Sequence, residues 1–195
     1  MMPDLLTPEE KITLLGLARQ SIILAVNHKP FPPIDPDCLT PLLRQDGASF
    51  VTLTKTGDLR GCVGGLEPSM PLAEDVVYHA AAAALQDYRF PPVRPDEVPQ
   101  ITIEISRLTL PKPLNYINSD ELLTHLQPNV DGVILMDGYH RATFLPQVWE
   151  KLPDPAEFLS HLCMKMGVPA NHWRRHHLQV LTYQVEEFHE DQPNS

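Results

Sequence analysis

The sequence predicts an α+β fold of two related lobes, each running helix, β-hairpin, helix, strand, with mainly antiparallel sheets and a shared cleft where the lobes meet. Three observations carry this. Helical and extended periodicities follow one another in the same order twice along the 195 residues. Each pair of extended runs closes on a tight Gly-containing turn, at Thr56-Gly57 and at Asp137-Gly138. The 21 prolines fall between periodic segments rather than inside them. Lobe one is expected at about 8–110 and lobe two at about 114–189, within one domain, with 190–195 as a disordered tail.

The first element is a helix over about Pro8 to Val26. Thr7 is its N-cap, Pro8 its first residue, and Glu10 completes a capping box. "HKPFPPIDPDCLTP" carries too many prolines for helix or central strand and reads as a surface loop. "ASFVTLTKTGDLRGCVG" is the first hairpin, with Cys62 near the end of its second strand. A helix then starts at Pro71 and carries the alanine run "AAAAA". "ITIEISRL" alternates Ile101, Ile103 and Ile105 against Thr102, Glu104 and Ser106, the pattern of a half-buried strand.

The second half repeats the order. Asn118 caps a short helix, "DGVILMDGYHRATFL" is a hairpin, and Asp154, Pro155 and Gly167 bound the next helix. "LQVLTYQVEEF" is read as one closing strand.

A formal charge of −10 argues against any hold on a nucleic-acid backbone. The N-terminus lacks a secretory pattern and no apolar run would span a bilayer, so a cytoplasmic protein with no membrane association is expected. Three widely spaced cysteines suit free thiols rather than a disulfide framework or zinc site. "GCVGG" lacks the Lys and Ser/Thr of a P-loop and the spacing of a dinucleotide turn, so neither cofactor nor metal is expected.

The candidate chemistry centres on Cys62. A thiol gains nucleophilicity when a cation stabilises its thiolate, and Arg60, two residues earlier in a strand, is expected on the same face. Glu104 is a carboxylate on the polar side of its strand, suited to acid or base work or to anchoring Arg60. The alternatives are a buried small Cys62 at a tight bend and a solvent-facing Glu104. Cys163 lies on an apolar helical stripe and reads as core; His172 and His176 have the i, i+4 spacing of metal ligands, without an accompanying acidic or cysteine ligand.

"LRGCVG", from Leu59 to Gly64, resembles the LRGCIG signature of the AMMECR family, with Val63 in place of Ile. "LEPSMPLAEDV", "DYRFPPV", "ITIEISRLT", "DGVIL", "TFLPQVWEKLPDPAEFLSHLCMKMG" and "YQVEEF" resemble further family blocks in the same order. Asp87, Arg89, Phe90, Pro91, Thr143 and Phe144 sit in those blocks, while Ala142 stands where glycine is expected. The resemblance implies barrel-like sheets and places the chain with protein A of the AmmeMemoRadiSam system, whose partners are a Memo-like protein and a radical SAM protein. On the function side this leaves two readings. One is a Cys62-centred small-molecule or protein-modification site using Cys62, Arg60 and Glu104. The other is a non-catalytic adaptor for those partners.

Overall fold

The computed structural model describes residues 5–190. They form two compact units, residues 110–185 making the second and the rest the first.

In the first unit α1 spans Pro8–Val26, with Thr7 and Glu10 in the expected reciprocal capping box. A short α2 (Pro41–Arg44) leads into β1 (Asp46–Lys55) and β2 (Asp58–Gly64), then β3 (Met70–Pro71), α3 (Leu72–Leu85) and β4 (Ile101–Leu108). Pro71 is the N-cap of α3 rather than its first residue. Both residues of the first hairpin's turn, Thr56 and Gly57, take positive φ, as the twist of a two-residue turn requires.

Alternation in β1 and β4 decides which face is buried. Val51, Leu53, Ile103 and Ile105 pack into one core with Leu14, Ala18 and Ile22 of α1 and Val76, Ala80 and Ala83 of α3. Burial of each large aliphatic side chain is worth roughly 1.5–3 kcal/mol. The other face carries Thr52, Thr54, Thr102 and Glu104, all half-buried.

The second unit contains β5 (Lys112–Pro113), α4 (Ser119–His125), β6 (Gly132–Asp137), β7 (His140–Phe144), α5 (Pro155–Met166), α6 (His172–Arg175) and β8 (Gln179–Tyr183). Its hairpin turns on Gly138 and Tyr139, one residue later than expected, because Asp137 pairs with His140. Trp149 stacks on Phe158 at 3.6 Å between ring centroids, and its indole N–H donates to the Asp131 carbonyl at 2.7 Å.

The expected closing strand is two strands in two sheets. β8 joins the second unit's sheet, ordered β5-β8-β6-β7, whereas β9 (Val185–His189) joins the first unit's, ordered β2-β1-β4-β9, with β3 beside β1. Carboxylates fix β9 in its place. Glu186 takes Lys11 Nζ at 2.8 Å and the Leu6 amide at 3.1 Å, while Glu190 pairs with Arg19 and accepts from the Ile103 amide. Of the expected tail, 190–195, Glu190 makes these contacts and the remainder lies outside the described residues. Both strand paths are open, so the barrel-like expectation gives way to two open antiparallel sheets among the described residues.

Candidate functional site

The site is set by an irregularity in the first hairpin. Lys55 pairs with Asp58 and Thr54 with Leu59, but then the register shifts and Leu53 pairs with Gly61. Arg60 is the extra residue of a β-bulge. A regular ladder from the same turn would set Cys62 opposite Val51, on the buried face; the one-residue shift sets it opposite Thr52 instead.

The bulge also corrects the expectation that Arg60 and Cys62 share a face, since the alternation behind it fails at an inserted residue. Arg60 is committed elsewhere: its Nε and Nη2 donate to Glu97 at 3.3 and 3.1 Å, and its Nη1 to the Pro91 carbonyl at 2.9 Å. Glu97 also takes Lys55 Nζ at 3.0 Å and the Arg94 amide at 3.0 Å. Hydrogen bonding from Arg60, then from the Arg94 amide and Lys55, lowers the Glu97 pKa from 4.5 to about 2.

A carboxylate depressed by folding binds protons in the unfolded chain first, so its stabilisation is complete above the unfolded value and lost below it. The Glu97 contribution should therefore disappear as pH falls from 4.5 towards 2. Urea midpoints measured against pH should fall more steeply over that window for the native chain than for Glu97→Gln.

Thr52 is the centre of a row across three strands. It pairs with Cys62 of β2 on one side and Glu104 of β4 on the other. Its hydroxyl donates to Cys62 Sγ at 3.3 Å. At the usual strand spacing Cys62 and Glu104 stand roughly 10 Å apart at Cα, with Thr52 between them. Two of the three expected site residues are thus aligned on one half-buried face, and Arg60 is not with them.

A second group holds Cys62 from outside the sheet. β2 is an edge strand, and the Cys62 amide donates to Asp87 Oδ2 at 2.8 Å. Arg89 reaches the Cys62 carbonyl at 3.4 Å. Both main-chain groups therefore point away from β1, which marks Cys62 and Thr52 as a non-hydrogen-bonded pair, where side chains approach closest. Arg89 grips Asp87 with a fork, Nε to Oδ1 at 2.9 Å and Nη2 to Oδ2 at 2.7 Å. That fork holds the Asp87 carboxyl well below the usual carboxylate range, against the opposing effect of burial, with the Cys62 amide adding to the lowering.

Of the other cysteines, Cys163 is buried, and burial pushes its thiol up; Cys38 is exposed. The His172 and His176 rings stack at 4.1 Å between centroids, and His172 Nε2 lies 2.7 Å from Asp137 Oδ2. Among the described residues, no group of three or more His, Cys, Asp or Glu is placed to hold a metal ion, and no helix is long and apolar enough to cross a membrane.

Sequence reasoning did not assign Thr52, Glu97 or the Asp87–Arg89 pair to the site. Asp87 and Arg89 stood in a family-like block, but nothing local connects them to a cysteine 25 residues earlier.

A family model described as AMMECR1 matches residues 15–188. A protein of Methanothermobacter thermautotrophicus is 38% identical over 187 residues, covering 95% of this chain and 97% of its own length. A protein of Methanopyrus kandleri is 38% identical over 196 residues, covering 98% and 94%. The crystal structure of an uncharacterised protein from Pyrococcus horikoshii is similar at a TM-score of 0.70 and 32% identity, over 91% of this chain and 90% of that one.

Proposed function

From the premise that the chain belongs to the AMMECR1 family, we propose that it carries a Cys62-centred site for binding or modifying a small molecule or protein segment. The observation that supports this is the row Cys62, Thr52, Glu104 on one half-buried sheet face. The Thr52 hydroxyl that donates to Sγ holds the sulfur on that face, beside Glu104's strand, where a thiol is the nucleophile the row can offer. Glu104 supplies a carboxylate on the same face for a proton or a cationic substrate group. Glu104 keeps the role first assigned to it, while Arg60 becomes a positioning residue, which fastens the bulge to Glu97 and so keeps Cys62 opposite Thr52. The setting we propose is cytoplasmic, in the AmmeMemoRadiSam system beside Memo-like and radical SAM partners.

Alkylation of the three thiols, followed by mass spectrometry against pH, tests the reading. In the folded chain Cys62 should react faster at neutral pH than it does in urea, while Cys163 is protected. A Cys62 that reacts no faster than the unfolded-chain thiol would remove the nucleophile. A Cys62→Ala chain that folds and fully supports the pathway would favour the adaptor reading instead.

A further inference from the structure

A cation does reach Cys62, but it is Arg89 rather than the expected Arg60, and its geometry bears on what the site binds. Arg89 spends Nε on Asp87 and Nη2 on Asp87 and the Cys62 carbonyl. Among the described residues its Nη1 makes no hydrogen bond. The side chain is 45% exposed, whereas its carboxylate partner is only 4% exposed. Asp87 thus acts as a buried anchor for a half-exposed guanidinium and leaves Nη1 as its remaining donor. The guanidinium carbon lies over the Phe90 ring, 5.5 Å from its centroid, a second contact on the same side chain.

We infer that Arg89 Nη1 and Cys62 Sγ form a two-point site for a substrate that carries an anionic group, carboxylate or phosphoryl, beside an electrophilic centre. The inference rests on the reading of Cys62 as the working thiol. Nη1 brings charged N–H donors to such oxygens, and a donor already oriented by Asp87 loses little freedom on binding. Arg89 reaches the carbonyl of Cys62 itself, at 3.4 Å from Nη2. An anion held at Nη1 is therefore held beside the residue that reacts. The chain as a whole carries −10, so it repels anions in general, and a local preference for an anion must come from a local group.

Two reagents that differ only in charge test this: anionic iodoacetate and neutral iodoacetamide. In each, the thiolate forms an S–C bond and iodide leaves. The rate ratio of iodoacetate to iodoacetamide at Cys62 in the folded chain is compared with the ratio at the same residue in urea. We expect a ratio about five- to tenfold higher in the folded chain at low salt, falling as salt is added. Arg89→Gln should bring it to the unfolded value, and Arg89→Lys, which keeps the charge but loses the fork, should retain part of it. Because the native chain alone gives the main comparison, the test does not depend on how well either variant folds. Acetate and inorganic phosphate are added as competitors, and the stronger protector identifies the anion class. Equal ratios in folded and unfolded chains, or no protection by either anion, overturn the inference and leave the thiol reading standing. A Cys62 inert to both reagents overturns both.

Discussion

Asp87→Ala is expected to destabilise the first unit by about 2–4 kcal/mol and to loosen Cys62 at the same time. Asp87 is buried and accepts from three sources: the Cys62 amide, the Arg89 amide and the Arg89 fork. Truncation leaves the Cys62 N–H of an edge strand without its acceptor and frees Arg89 to turn into solvent. The unsatisfied amide accounts for roughly 1–3 kcal/mol, and lost charge-assisted bonds make up the remainder. Asp87→Asn keeps an acceptor for the amide but loses the charge that the fork matches, so it should cost less.

Urea unfolding at neutral pH gives the energies, and amide exchange at Cys62 gives the local effect, which should rise well beyond that of other β2 amides in Asp87→Ala. The pH dependence has a definite sign. Asp87 ionises below the usual range in the folded chain, so its contribution is present above the ordinary Asp value and lost as pH falls beneath it. The gap between native chain and Asp87→Ala should therefore narrow in acid. A full gap that persists there would mean that the carboxylate charge is not what holds Cys62.

Local patterns were legible wherever local chemistry decides the outcome. The bounds of α1 follow from Thr7, Pro8 and Glu10, those of α5 from Asp154, Pro155 and Gly167, and β4 from three isoleucines at alternate positions. The illegible parts depend on partners far away in the chain. Nothing in "LTKTGDLRGCVG" marks a bulge at Arg60, because the competing regular register satisfies the same alternation until Glu97 draws the arginine aside. "LQVLTYQVEEF" has no glycine or proline at Gln184 to announce the change of sheet. That change is set by Glu186 and Glu190, which find Lys11 and Arg19 on α1. The candidate site inherits both kinds of information. Cys62 and Glu104 were visible as residue types in strands, but their alignment through Thr52 depends on a one-residue shift that only the folded hairpin displays.

The same hairpin gives the steepest packing test. Gly61→Ala is expected to destabilise the chain by about 3 kcal/mol or more, at or beyond the upper end for overpacking. A Cβ at Gly61 would lie 2.2 Å from the Ala83 carbonyl oxygen and 3.2 Å from its carbon. These are main-chain atoms in α3, so no rotamer change relieves the clash; either the helix lifts from the sheet or β2 slides. Gly61 and Ala83 explain each other, because the alanine run lets the helix backbone approach and glycine lets the strand receive it. Gly16→Ala, whose Cβ meets nothing within 4 Å, is the steric control. The strain at Gly61 also acts on the site, since this residue follows the bulge and precedes Cys62. If β2 yields rather than α3, the Thr52–Cys62 contact opens, and Cys62 alkylation in the folded variant should drift to the unfolded-chain rate even where enough native protein remains to measure it. Gly61→Ala with a native urea midpoint and native Cys62 reactivity would show that helix and strand do not meet as closely as described, and would remove the packing that holds the bulge in place.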